Sequence, residues 1–109
     1  MNRLVALCFL FALAACAPEQ ESHDYSELDI DSLQALMKQG NLTSERLTEF
    51  YLDRIESIEQ NVNAFITIVG DDAIAQALRA EKEIVRDGPS GPLHGIPYAL
   101  KDVFYTAGI

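Results

Sequence analysis

Gly91, Pro92, Gly95 and Pro97 fall within one short stretch, and they constrain this chain more than any other feature. Proline fixes φ and lacks an amide donor, while glycine opens backbone conformations closed to other residues. The stretch therefore reads as a rigid turn. It leads into a short apolar segment, Tyr98-Ala99-Leu100, which reads as a strand and delivers Lys101, trailed by Val103 and Phe104. A lysine at the end of a buried strand is poorly solvated, so its charged form is disfavoured. A partly neutral amine can accept a proton, which a solvated surface lysine rarely does. The alternative is a strand-end lysine that snorkels to water.

The segments upstream supply helices and one more strand. Ile30, Leu33, Leu36 and Met37 recur at helical spacing. Asp31 with Gln34 reads as a capping box, Asp29 is a rival cap, and Gly40 ends the helix at C′. Thr43 is expected to cap a second helix, with Ser44 and Glu45 in its first turn and Leu42 and Leu47 as a hydrophobic staple. Leu47, Phe50, Tyr51, Ile55 and Ile58 continue its apolar face, and Asn61-Val62-Asn63 breaks it. Ala64 to Val69 is β-branched and aromatic, and reads as a strand buried on both faces. Asp71 or Asp72 is expected to cap a third helix, with Ile74, Ala77, Leu78, Ile84 and Val85 facing inward and Gly88 as its stop. Strand, helix, strand is an α/β order. Two strands alone are marginal and ask for cover.

The first 15 residues form a targeting segment. Arg3 is the positive region, Leu4 to Ala12 the apolar run, and Leu13-Ala14-Ala15 the small residues before a cleavage site. The run is shorter than the ~20 residues that span a bilayer. Leu-Ala-Ala-Cys resembles the bacterial lipoprotein signal, which implies that Cys16 is acylated and becomes the new N-terminus. Ala17 after the cysteine implies sorting to an outer membrane, facing the periplasm. The alternative is a plain secretory signal that leaves Cys16 a free thiol. Residues 16–26 are polar and read as a flexible tether, and residues 27–109 as the folded part.

Composition removes several function classes. The net charge is −9, with 17 acidic against 8 basic residues, which argues against a nucleic-acid partner. Cys8 lies in the leader and Cys16 would carry lipid, so no disulfide is expected. The two histidines, His23 and His94, are far apart in sequence and give no metal spacing. No Gly-rich phosphate loop precedes a helix, so nucleotide binding has no support.

Gly91-Pro-Leu-His-Gly-Ile-Pro-Tyr-Ala-Leu-Lys-Asp102, followed by Thr106-Ala-Gly, resembles the N-terminal block of the amidase signature family. Leu-Thr-Ser at 42–44 and Asn63-Ala-Phe65 resemble its opening. The resemblance runs from about Leu33 onward. It implies an α/β fold in which N-terminal helices lead into a mixed-sheet amidase signature core, with only the first strands present here. It also implies a Ser–cis-Ser–Lys triad that hydrolyses carbon–nitrogen amide bonds of a small-molecule or peptide substrate without a metal or an organic cofactor. Lys101 matches the triad lysine, and Asp102 matches the residue after it, with a supporting role.

Both triad serines are expected beyond Ile109. None of Ser22, Ser26, Ser32, Ser44, Ser57 and Ser90 lies in a Gly-Ser-Ser-Gly context, and no base or oxyanion donor is evident beside Ser90. The expectation is an N-terminal fragment of an exported, membrane-anchored amidase, inactive by itself. Two alternatives stand beside it. One is a subunit resembling the glutaminyl-tRNA amidotransferase, against which an export signal weighs. The other is a non-catalytic lipoprotein interaction module in which Lys101 is structural.

Overall fold

The computed structural model describes residues 23–109, so the expected leader and Cys16 lie outside the described residues. Three helices run in order: α1 (Ile30–Lys38), α2 (Ser44–Val62) and α3 (Gly70–Asp87).

Each end of α1 is fixed locally. Asp29 is its N-cap, accepting a hydrogen bond from the Ser32 amide at 2.8 Å, so the cap is Asp29 and not Asp31. At the other end the Gly40 amide donates to the Met37 carbonyl and the Asn41 amide to the Leu36 carbonyl. These two reversed bonds close a Schellman motif, with Gly40 at φ +73° in the left-handed position it needs.

The second helix starts as expected, with Thr43 Oγ1 accepting from the Arg46 amide at 3.1 Å. Leu42 and Leu47 on either side of that cap are both buried. It stops where Asn63 turns left-handed, with φ 49° and ψ 51° and its amide on the Glu59 carbonyl. Asparagine tolerates that conformation better than most residues with a β-carbon.

The third helix begins one residue before the expected caps. Val69 is its N-cap and offers no side-chain bond, so neither Asp71 nor Asp72 caps it. Both sit in the first turn, where a negative side chain meets the positive end of the helix dipole. Ala77 is buried, but Leu78 and Val85 are exposed, Val85 by 83%. The face that packs is narrower than the apolar pattern. Helices α2 and α3 pack on one another, with the Leu52 methyls 3.7 Å from a β-carbon built on Gly70.

The core sits around α1 and the first half of α2. Tyr25, Leu33, Met37, Leu42 and Leu47 are its buried members, and Leu28, Leu36, Phe50, Tyr51 and Ile96 pack against them. Tyr25 meets Phe50 edge-on at 5.2 Å, and Phe50 meets Tyr51 in the same way. This brings the end of the expected tether, at Tyr25, onto the helical body.

The two expected strands form no ladder, and no strand occurs among the described residues. The segment 64–69 is exposed throughout, Ile66 by 81%, and Tyr98 is exposed by 79%. The Phe65 amide donates instead to the Glu59 side chain, 2.8 Å away on α2. Extended β-branched residues become a strand only when another strand supplies hydrogen-bond partners, and these two segments do not supply them to each other. The α/β order is thus present in the residue pattern, while the described architecture is helical.

Candidate functional site

The turn at 91–97 is held from within and from without. Within it, the His94 amide donates to the Gly91 carbonyl and the Ile96 amide to the Leu93 carbonyl. Gly95 sits at φ +83°, where a β-carbon would lie 3.1 Å from the Ile84 Cδ1 atom and 3.3 Å from the Ser44 β-carbon. Only glycine accepts both that φ and that approach.

All three helices grip this turn. From α1, Gln34 Nε2 donates to the His94 carbonyl at 2.9 Å. From the first turn of α2, Ser44 Oγ donates to the Gly95 carbonyl at 2.8 Å. From α3, Glu83 Oε2 lies 3.2 Å from His94 Nε2. Gln34 and Ser44 are only 7% and 3% exposed, and buried polar groups cost stability unless hydrogen-bonded. Here each is satisfied by a carbonyl of the turn.

His94 also faces Ser90. The Ser90 amide donates to His94 Nδ1 at 3.1 Å, and Ser90 Oγ lies at the same distance from it. Accepting an amide proton makes Nδ1 the unprotonated nitrogen and leaves the hydrogen on Nε2, which lies in close contact with the Glu83 carboxylate at 3.2 Å. A base therefore does stand beside Ser90, contrary to the sequence reading. The turn folds four residues back on themselves, and the signal for it was the Ser90-to-His94 spacing across Gly91 and Pro92. Serine, imidazole and carboxylate in a row resemble a hydrolytic triad in order. The single lone pair of Nδ1 is already engaged by the Ser90 amide, and Ser90 and Glu83 are both exposed. The row acts as a staple between α3 and the turn.

Lys101 lies four residues beyond Pro97 and is exposed, as are Tyr98, Ala99 and Leu100 before it. Its carbonyl accepts from the Phe104 amide at 3.2 Å, so the chain turns here and does not continue as a strand. Asp102 is exposed within that turn, and the side-to-side alternation expected of a strand does not apply to it. Among the described residues, no hydrogen bond or ion pair reaches the Lys101 amine. The buried setting expected for this lysine is thus not built by residues 23–109. Among the described residues there is also no group of three or more side chains that could hold a metal, and no helix long and apolar enough to cross a membrane.

A family model described as Amidase matches residues 46–109, more than half of the chain and all of the turn, Lys101 and Asp102. The chain belongs to the amidase family. This amidase chain is 46% identical over 83 residues to the glutamyl-tRNA(Gln) amidotransferase A subunit of Geotalea daltonii, covering 76% of the chain and 17% of that relative. It is 44% identical over 86 residues to the protein of the same name from Dehalococcoides mccartyi, covering 79% of the chain and 18% of the relative. The corresponding Streptomyces coelicolor protein is 38% identical over 86 residues, with 79% and 17% covered. The amidase chain therefore spans less than a fifth of the length of these curated relatives. No solved structure matches it.

Proposed function

We propose that these residues are the N-terminal part of an amidase that hydrolyses a carbon–nitrogen amide bond, with Lys101 as the base that activates a serine. The observation that carries this reading is the family match, which runs through the whole block from Gly91 to Ile109. In the proposed reaction a serine beyond Ile109 attacks the amide carbonyl. Its proton passes through a second, bridging serine to the neutral Lys101 amine. The carbon–nitrogen bond then breaks, the leaving amine takes up the proton, and water releases the acyl group from the serine. Activation of a nucleophile by an adjacent base is the shared logic of such sites.

The reading also assigns a use to the exposed apolar segments. Residues 64–69 and 98–100 become strands of an α/β core when the rest of the amidase domain supplies their partners. The same docking covers Lys101, and removal from water favours its neutral form. Asp102 supports the turn that carries the lysine. Small or peptide amides are the substrate class, and no cofactor is required. Export through the leader, with lipid on Cys16 and an outer-membrane anchor, completes the proposal.

A second reading is favoured by the relatives that the chain resembles: this chain is part of a glutamyl-tRNA(Gln) amidotransferase A subunit. The two readings share the lysine and differ in cellular place. Metabolic labelling with a palmitate analogue separates them. Label on the wild type and not on Cys16→Ser is expected for the exported amidase. Equal absence of label, with the protein in the cytoplasmic fraction, would favour the second reading. Hydrolysis itself is tested by turnover of a simple amide by the full-length protein and its Lys101→Ala variant. A folded variant is expected to lose about 10²–10⁴-fold or more, the range of a lost general base.

A further inference from the structure

We propose that Gln34 and Ser44 are positioning residues for Lys101: they hold two consecutive carbonyls of the 91–97 turn and so set the path of the chain that carries the lysine. The inference rests on the proposed role of Lys101, but its structural half stands on the described residues alone.

The geometry is specific. Gln34 sits on α1 and donates to the His94 carbonyl at 2.9 Å. Ser44 opens α2 and donates to the Gly95 carbonyl at 2.8 Å. Two donors from different helices on successive carbonyls fix the position and tilt of the two peptide planes that meet at Gly95. Gly95 presses against Ser44 from the same side, and Ile96, the next residue, packs against the helical core. The turn is held polar-side and apolar-side at once. Pro97 then stiffens the exit, and four residues later the chain reaches Lys101.

Both donors are placed to have no other task. Ser44 is in the first turn of α2, but the helix cap is made by Thr43, so the Ser44 hydroxyl is free to point at the turn. Gln34 is in the middle of α1, where an amide side chain on the inward face would ordinarily be replaced by an apolar one. Its burial is explained by the His94 carbonyl it serves. Neither carbonyl receives a backbone hydrogen bond within the turn, whose bonds end on Gly91 and Leu93.

A transition state is sensitive to small displacements of a base, so a loosened turn should lower kcat while substrate binding is spared. The test uses the full-length protein with Gln34→Ala and Ser44→Ala, and Ser57→Ala as control. Ser57 also donates to a helix carbonyl, that of Arg54, but on an exposed face away from the turn. Hydrogen exchange of the 91–100 backbone is measured alongside kcat and KM. Both Gln34→Ala and Ser44→Ala are expected to speed exchange there, and to lower kcat by about 10- to 100-fold with KM held within about 3-fold. The control should match wild type.

Gln34→Glu supplies a second arm if the alanine variants fold poorly. Its carboxylic acid can donate to the His94 carbonyl, but its carboxylate cannot. Turnover relative to wild type should therefore decline as pH rises and that side chain ionises. Unchanged exchange at 91–100 in both alanine variants would overturn the clamp. Faster exchange with unchanged kcat, or a Gln34→Glu to wild-type ratio independent of pH, would overturn the positioning role. If wild type itself turns over no amide, the proposed function fails separately, and the exchange comparison still decides whether these two side chains hold the turn.

Discussion

Gly95 is the residue at which the demands of the turn are sharpest. Its φ of +83° is left-handed, and the space beside it is filled by Ile84 and Ser44. The Ile84 methyl can swing aside, but the Ser44 β-carbon is fixed to a helix. Gly95→Ala is expected to destabilise the chain by about 1–3 kcal/mol, the usual cost of a left-handed residue other than glycine. Denaturant melts of wild type and variant check this. Asp29 is a second residue with a clear signature. Its carboxyl lies below the ordinary carboxylate value because the Ser32 side chain, and then the Ser32 amide, hydrogen-bond its charged form. A folded-state value lower than the unfolded one means that the cap contributes fully above the unfolded value. The contribution is lost as pH falls through the folded value. The first turn of α1 should therefore fray on acidification below about pH 4, where aspartate normally titrates. Amide exchange at Ser32 reads this directly, and Asp29→Asn should keep a cap while losing its pH dependence.

At the scale of elements, the helices hold by local means and the strands do not. Thr43→Ala removes the hydroxyl that accepts from the Arg46 amide, and should cost about 1 kcal/mol in a thermal or denaturant melt. A shift below a few tenths would show that water satisfies that amide equally well. The same locality made the helices legible in the sequence. Thr43, Gly40 and Asn63 mark ends by chemistry confined to a few neighbouring residues, and the structure places helix ends beside each of them. The start of α3 was misread because Asp71 and Asp72 look like caps, yet Gly70 itself enters the helix. The strands were legible only as residue pattern. Ala64 to Val69 has the composition of a strand, but a ladder is a property of two segments, and its partner is not among residues 23–109. The clamp from Gln34 and Ser44 was invisible for a related reason. It spans 60 and 51 residues of sequence, and neither side chain differs in type from an ordinary helix residue.

At the scale of the molecule, one well-packed half meets one open half. Tyr25, α1 and the start of α2 enclose a core with Leu47 fully buried. Ile66, Leu78, Val85, Tyr98, Leu100 and Phe104 remain exposed, though their apolar surface favours burial. In the proposed amidase this open half docks on the rest of the domain and shields Lys101. Exchange at 64–69 and 98–100 should thus be fast in the isolated chain and strongly slowed in the full-length protein. The central claim is that Lys101 accepts a proton, and one comparison reaches it most directly: amide turnover by full-length wild type and Lys101→Arg, each shown by circular dichroism to be folded. Arginine keeps the positive charge but stays protonated, so it cannot act as a base. The account predicts that the folded arginine variant loses turnover as completely as Lys101→Ala. Near-normal turnover by Lys101→Arg would contradict it and make Lys101 a structural cation.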